Sequence, residues 1–309
     1  MKILIVGLGS IAKKHIAAIR LIDKEASIYA LRRAGSLPDT EGIIEIYSYD
    51  TLSDYGFDFV IISNPTSEHE KTIANLLMLS CPLFIEKPLS NTLVVSDLVS
   101  IIEKRNILTY VACNLRFLDV LIYVGDYLQA AKRRINEINI YCGSYLPDWR
   151  KGDDFRKSYS SQEKLGGGVH LDLIHELDYL YWLFGRPVNY HKTLRSVSSL
   201  SIDSIDYANY IIEYPEFCAN AVLNYYRRDY KRTFEIVFDD CTWLVDLQNN
   251  CISANGKIIY KSAQNMIDTY LRQMQYFYSL INTNSATSFN SAGDALEVLK
   301  ICLGDDTEK

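Results

Sequence analysis

Three stretches carry side chains that could do chemistry together. In Leu83-Phe84-Ile85-Glu86-Lys87-Pro88 a lysine stands directly before a proline at the end of an apolar run. The proline disfavours helix at the residue before it, so Lys87 is expected to stay extended at the strand's carboxyl end. In open α/β sheets ligands bind at that end, and a cation there can polarise a substrate oxygen or exchange its proton. Alone, Glu-Lys-Pro reads as an ordinary surface turn. Its surroundings favour catalysis, because a glycine-rich loop lies near the N-terminus and Gly166-Gly167-Gly168, with Asp172 and His175, follows about 80 residues downstream, a spacing on the scale of one domain.

The downstream stretch reads as one helix from about Val169 to Phe184. On a helical wheel Leu173, Ile174, Leu177, Leu180, Tyr181 and Phe184 share one face, and Asp172, His175 and Tyr179 fall on the opposite one. Asp172 and His175 stand three apart, so a helix makes their side chains neighbours. A carboxylate beside an imidazole orients the ring and raises its basicity, which suits a general acid/base pair. The plainer alternative is a solvated polar face with an incidental ion pair. His170 is a further histidine nearby, expected to pack or cap.

At the N-terminus Gly7-Leu8-Gly9-Ser10-Ile11-Ala12 fits Gly-X-Gly-X-X-Gly/Ala. Gly7 would allow the tight turn, Gly9 the approach of a pyrophosphate and Ala12 close helix–sheet packing. The phosphates would rest on the N–H groups of Ser10 and Ile11 at the helix start. A strand before the loop and a helix after it supply the context that makes the fingerprint specific. The end of the second strand bears on cofactor choice. NAD sites usually carry an acid there, whereas this chain has Arg32 and Arg33, followed by Ser36. Arginines can hold a 2′-phosphate, so NADP is favoured over NAD. A solvated loop is the bland alternative, and Asp39 and Glu41 could fold back.

These residues need elements to position them. Lys2–Val6, 27–31, 57–62, 82–85 and 108–113 read as strands, alternating with helices over 11–22, 67–79 and 90–105. The alternation predicts α/β architecture with a right-handed, doubly wound parallel sheet. A chain of 309 residues exceeds the usual single core. Residues 1–118 are therefore assigned to a dinucleotide-binding domain and 119–309 to a substrate-binding and oligomerisation domain, its last helix packing back on the core. Helices are expected over 266–281 and 292–302.

A net charge of −6 gives no nucleic-acid footprint. No apolar run is long enough for a transmembrane helix. Met1-Lys2 leads straight into a strand whose glycine turn follows at once, a unit that cleavage would destroy, so no cleaved signal is expected. Seven cysteines without a Cys-X-X-Cys pair fit free thiols in the cytoplasm and no structural metal.

Together, Gly7 to Ala12, Ser63-Asn64-Pro65-Thr66-Ser67-Glu68-His69, Glu86-Lys87-Pro88, Asn114-Leu115-Arg116-Phe117 and Gly166 to Asp178 resemble the Gfo/Idh/MocA oxidoreductase family over nearly the whole chain. The resemblance implies a Rossmann domain followed by an α/β domain with a large, mostly antiparallel sheet. It implies Lys87, His175 and Asp172 at an active site for hydride transfer at a sugar-like carbinol carbon. Asn64, Pro65, His69, Glu86 and Lys87 would lie along the cofactor. Two departures stand out. The family spaces its aspartate and histidine four apart, and Leu118-Asp119 replaces the His-Pro often found after Arg-Phe.

A sugar-like substrate is expected to meet Asn114, Arg116, Tyr145, Trp149, Arg150 and Tyr159. Their rings, guanidinium groups and hydroxyls suit a polyol bearing phosphate or carboxylate; a structured loop is the alternative. The stretch looks like that of family members from surface-polysaccharide and nonulosonic-acid pathways. Tyr225-Tyr226-Arg227-Arg228 repeats the chemistry on a strand whose exposed face could join copies into a dimer or tetramer. The rival reading is a non-catalytic dinucleotide-binding sensor on the same fold, which would need neither Lys87 nor His175.

Overall fold

The computed structural model describes residues 1–32, 42–131, 133–149, 152 and 154–304. The chain divides into two compact units. The first comprises Met1–Asn114 with Ile267–Leu299, and the second Leu115–Met266 with the chain's end from Lys300. The division falls between Asn114 and Leu115 and returns residues 267–299 to the first unit.

The first unit alternates strands and helices, namely β1 (Lys2–Val6), α1 (Ser10–Ile22), β2 (Ser27–Leu31), β3 (Ile43–Ile46), β4 (Phe59–Ile62), α2 (His69–Leu76), β5 (Leu83–Glu86), α3 (Ser96–Lys104) and β6 (Thr109–Ala112). The strands form one parallel sheet in the order β3-β2-β1-β4-β5-β6. Strands of a parallel sheet covered on both faces read as unbroken apolar runs, and every residue of β4, β5 and β6 is buried. The sheet order reverses beside β1, which places a crevice at the carboxyl ends of β1 and β4. β3 was not anticipated from the sequence, being a short edge strand with only Ile46 fully buried. The helix expected from 90 begins at Ser96, after a turn in which Ser90 Oγ accepts from Thr92 N.

The returning segment closes the other edge of this sheet. A bare edge strand invites pairing with other chains. Here Asn290 O accepts from Val111 N at 2.9 Å, Asn290 Nδ2 donates to Val111 O at 2.8 Å, and Ser288 Oγ donates to Thr109 O at 2.7 Å.

The second unit contains α4 (Asp119–Ala130), β7 (Ile135–Tyr145), α5 (Val169–Asp172), α6 (His175–Phe184), β8 (Asn189–Arg195), β9 (Tyr207–Glu213), β10 (Cys218–Asn224), β11 (Tyr226–Phe238), β12 (Thr242–Asp246), β13 (Cys251–Ala254) and β14 (Lys257–Lys261). The last helices, α7 (Met266–Asn282) and α8 (Ala292–Leu303), match their expected spans closely. Phe277 of α7 packs edge-on against Phe59 and Phe84 of the first sheet. The eight-stranded sheet runs β14-β13-β12-β11-β7-β10-β9-β8 and is antiparallel throughout except for the β10–β7 pair. Register sorts its two faces by the period of two. Ile212, Ala219, Ile138, Ile236 and Trp243 form a buried row across it. The neighbouring row, Ile211, Asn220, Asn139, Glu235 and Leu244, leaves Ile211 49% and Leu244 40% exposed.

Among the described residues no helix is long and apolar enough to cross a membrane, and no group of three or more His, Cys, Asp and Glu could hold a metal. All seven cysteines are free thiols.

Candidate functional site

The glycine loop joins β1 to α1. Gly7 has φ +93°, and a Cβ on it would stand 2.6 Å from Asn64 N, so this turn admits only glycine. Ser63 Oγ donates to Gly7 O at 2.9 Å and pins the loop to the end of β4. Gly9 is the residue before α1 and supplies no side-chain cap, and a Cβ there would meet no protein atom within 4 Å. Open space beside uncapped N–H groups at a helix start is what a phosphate needs. Ser10 is exposed, Ile11 half-buried and Ala12 fully buried against the sheet. Asn64 Nδ2 donates to Thr72 Oγ1, and its Oδ1 is buried with no partner among the described residues, an acceptor a ribose hydroxyl could use. These features fit a dinucleotide.

Lys87 follows β5, at the same sheet edge as the glycine loop. Glu86 Oε2 accepts from Lys87 N at 3.2 Å, while Glu86 Oε1 lies 2.5 Å from Nε2 of His15 on α1. His69 lies nearby but not as an exposed cofactor contact. It is 1% exposed, with Nδ1 3.0 Å from Pro88 O and Nε2 3.0 Å from Asn64 O. It therefore ties the β4 loop to the residue after Lys87 from inside. Burial lowers its pKa, opposed by the two carbonyls. Pro65 is exposed at the same loop.

The turn before α5 is built from glycine for steric reasons. A Cβ on Gly167 would fall 2.2 Å from Tyr159 O, and Gly168 has φ +133°. Tyr159 OH donates to Gly166 O at 2.8 Å, so this expected substrate contact also closes the turn. The single helix expected from Val169 to Phe184 is two helices. α5 ends at Asp172 and α6 starts at His175, with Leu173 outside helical geometry between them. Asp172 and His175 thus share no helix face. Nor is the polar side solvated, since Tyr179 and Glu176 are fully buried and His175 is 8% exposed. The apolar wheel missed this because both sides of the segment are covered, and charged side chains were assumed to face water.

Asp172 Oδ2 accepts from Tyr225 OH at 2.5 Å. Tyr225 is fully buried, and burial first, then the Asp172 charge, raises its pKa, so the phenol keeps its proton and donates. Tyr225 also meets the Trp149 ring edge-on at 5.4 Å, and Trp149 Nε1 donates to Ser144 Oγ. Asp172, Tyr225 and Trp149 are therefore one cluster.

Two buried ion pairs follow His175 in sequence. Glu176 accepts from Arg232 Nε at 2.6 Å and Nη2 at 3.1 Å. Asp178 accepts from Arg116 Nε at 3.0 Å and Nη2 at 2.8 Å. Burial opposes the Arg232 charge most strongly, yet Glu176, Cys142 and Tyr230 together outweigh it and raise the pKa. Arg116, expected to meet substrate, is 3% exposed and is held by Asp178. Asn114 is likewise buried, donating to Thr269 Oγ1 at 2.7 Å. Tyr145 is half-buried beneath Arg228, whose Cζ stands 3.7 Å from the ring centre. His170 packs, as expected. Its pKa is lowered to about 4 by burial, and it carries no ion pair among the described residues.

Arg32 Nη1 bonds Glu45 Oε1 on β3 at 2.5 Å. Arg33, with Ser36, Asp39 and Glu41, lies outside the described residues, as does Arg150. Sequence reasoning did not single out Tyr225 as the partner of Asp172, Arg232 as that of Glu176, or Glu45. Their partners stand 53, 56 and 13 residues away, and no local spacing announces such pairs.

Comparisons with known proteins agree with this architecture. Residues 1–112 match the oxidoreductase family with an NAD-binding Rossmann fold, and residues 131–243 match the GFO/IDH/MocA C-terminal domain. The chain belongs to the Gfo/Idh/MocA oxidoreductase family. No curated protein matched the sequence. Among solved structures, the scyllo-inositol dehydrogenase from Lactobacillus casei with NAD(H) and scyllo-inositol is 21% identical, with TM-score 0.78 over 98% of this chain and 95% of that one. The WlbA dehydrogenase from Bordetella pertussis, in complex with NADH and UDP-GlcNAcA, is 16% identical, with TM-score 0.78 over 97% and 92%. The UDP-N-acetylglucosamine 3-dehydrogenase GnnA from Acidithiobacillus ferrooxidans is 18% identical, with TM-score 0.77 over 98% and 95%. At these identities the likeness is one of fold.

Proposed function

We propose that this protein transfers a hydride between a nicotinamide dinucleotide and a carbinol or carbonyl carbon of a sugar or nucleotide sugar, in surface-polysaccharide or nonulosonic-acid sugar metabolism. The observation that carries the reading is Lys87 at the carboxyl end of β5, on the same sheet edge as the Gly7–Gly9 loop after β1. Gly7, Gly9, Ser10, Ile11 and Asn64 would hold the dinucleotide, which when bound supplies or accepts the hydride. Lys87 lowers the cost of the developing alkoxide. His175 exchanges the hydroxyl proton. Asp172, held by Tyr225, orients the substrate. Trp149 and Tyr145 offer rings for a sugar face or base, and Arg116 acts indirectly by fixing α6.

NADP over NAD is the finer part of the proposal. It rests on Arg32 and Arg33, and the Glu45 carboxylate on Arg32 weakens the phosphate contact without removing it. A cytoplasmic homo-oligomer, dimer or tetramer, completes the reading, which the exposed Ile211 and Leu244 of the second sheet support.

The test is a turnover screen by cofactor fluorescence with both NAD and NADP. It uses UDP-N-acetylglucosamine, its uronic acid, scyllo-inositol and levoglucosan as probes. Turnover of at least one is expected. Tight cofactor binding with no turnover of any would leave the sensor reading ahead.

A further inference from the structure

The eight-stranded sheet has one buried face and one open face. The open face carries the row that leaves Ile211 and Leu244 exposed, and beside it Val222, Tyr141 and Thr233, none of them buried. An antiparallel sheet can leave one face to water. A broad open face that also presents large apolar side chains has the make-up of a contact surface.

The two ends of that face carry opposite charges. At one end Glu137 of β7 and Glu235 of β11 are drawn together by a single amide, since Asn139 Nδ2 donates to Glu137 Oε1 at 2.8 Å and to Glu235 Oε2 at 3.1 Å. Carboxylates set side by side repel each other, and neither has a salt bridge among the described residues. At the other end β11 leaves the β7 ladder between Tyr226 and Lys231. Such an irregularity re-aims side chains. Here Arg227 Cζ stands 5.1 Å and Lys231 Nζ 5.2 Å from the Tyr141 ring centre, and Arg228 lies over Tyr145. Arg227 is paired with Asp229. Arg228 and Lys231 are exposed and have no salt bridge among the described residues. From Gly143, the neighbour of Lys231, to Glu137 is about 20 Å along β7.

We propose that this face binds the same face of a second copy about a twofold axis that crosses the strands, so that the Arg228–Lys231 end of each copy meets the Glu137–Glu235 end of the other. The inference rests on the homo-oligomer of the proposed function and on nothing in its chemistry. Two sheets can meet face to face about a twofold axis that runs along the strands or across them. An axis along the strands sets like ends together, cation on cation and carboxylate on carboxylate. An axis across the strands exchanges the ends. Each copy then supplies the counter-charges that the other lacks, and every contact is made twice, as in an isologous pair. Ile211, Val222, Tyr141, Thr233 and Leu244 lie between the charged ends and form the less polar centre of the contact, with the charges at its rim. Complementary charge fixes the register and disfavours the other arrangement.

Sedimentation velocity of the full-length protein tests the pairing. Arg228→Glu with Lys231→Glu makes both ends of the face acidic, and Glu137→Lys with Glu235→Lys makes both ends basic. Wild type is expected to assemble as a dimer or larger. Each variant alone should associate at least ~100-fold more weakly, because it sets like charges opposite one another at both ends. Mixed in equal amounts, the two variants should recover the wild-type assembly, since every contact again joins opposite charges. Circular dichroism confirms the fold, and should Glu235→Lys prevent folding, Glu137→Lys alone, at an exposed position, takes its place. A monomeric wild type would overturn the proposal together with the homo-oligomer reading. An assembly indifferent to both reversals would leave the homo-oligomer standing and overturn this face as its contact. Variants that dissociate but do not restore each other on mixing would overturn the exchange of ends. None of these readouts uses turnover, so an inactive protein would count against the hydride-transfer reading alone.

Discussion

Lys87 and His175 are held by different physical means. Lys87 ends a central strand of a parallel sheet, and its supports, Glu86, His15 and His69, lie in the same strand–helix framework. His175 opens a helix whose next residues are anchored by buried carboxylates to arginines from distant segments. In the first region, sheet geometry aims the side chain and hydrogen bonds refine it. In the second, two desolvated ion pairs hold the first turn of α6. Buried pairs add little net stability beside a well-packed apolar alternative, but losing one partner strands a charge and is costly. The second region should therefore be the more fragile to single substitutions.

The largest expected effect tests that asymmetry. Arg232→Met leaves Glu176 charged, fully buried and unpaired, and should cost about 3–5 kcal/mol of stability. Arg232→Met with Glu176→Leu should recover most of the loss, because an apolar pair is tolerated where a lone charge is not. Urea unfolding followed by far-UV circular dichroism checks both. If the single variant is as stable as wild type, the ion pairs do not anchor α6 and the comparison collapses.

Removing the functional group itself comes next. His175→Ala should lower turnover by roughly 10²–10⁴-fold, the range for loss of a general acid or base, with cofactor affinity little changed. If His170→Ala or Glu176→Gln is the damaging change while His175→Ala is mild, the assignment of the proton-exchanging group is wrong. Both alternatives have physical reasons to be silent in chemistry. The pKa of His170 is lowered to about 4 by burial, and Glu176 is bonded on both oxygens by Arg232.

These regions also differ in how far they could be read from the chain alone. The glycine loop, the alternation of strands and helices and the strand end at Lys87 follow from local signals, since a run of apolar residues, a Gly-X-Gly turn and a proline each act within a few residues. The break between α5 and α6 does not. Helical periodicity ran unbroken from Val169 to Phe184, and what interrupts it is tertiary. Asp172 is drawn to Tyr225, and Glu176 and Asp178 to Arg232 and Arg116, across 53, 56 and 62 residues. Asn114 and Arg116 were noticed for their types, yet type could not say that each would be consumed by a buried partner. β3 lacks such a signal for the opposite reason, being a four-residue edge strand, Ile-Ile-Glu-Ile, of which only Ile46 is buried.

On the Lys87 side the expected effect is smaller but cleaner. Lys87→Met keeps the stem and removes charge and proton. It should leave a folded protein that binds cofactor and transfers hydride at least ~100-fold more slowly, as loss of one preorganised electrostatic donor does. Single-turnover measurement at saturating substrate is required, since steady-state rates can report product release. An unchanged rate would mean that the strand end orients nothing chemical.

The smallest effect concerns the end of β2, where Arg32 is shared with Glu45. A free arginine in contact with a 2′-phosphate contributes on the order of 1.5–3 kcal/mol, or more than ~10-fold in affinity. Here the carboxylate already satisfies part of the guanidinium and repels an incoming phosphate, so NADPH should exceed NADH by only a few-fold. Glu45→Gln keeps the shape and removes the opposing charge, and should widen the preference toward ~10-fold. Arg32→Asp should reverse it, because an acid there bonds ribose hydroxyls and rejects the phosphate. Fluorescence titration with both reduced cofactors separates the cases. NADH binding equally or more tightly in the unmodified protein would place the arginine's function in the ion pair to β3 and remove NADP from the reading, without touching Lys87 or His175.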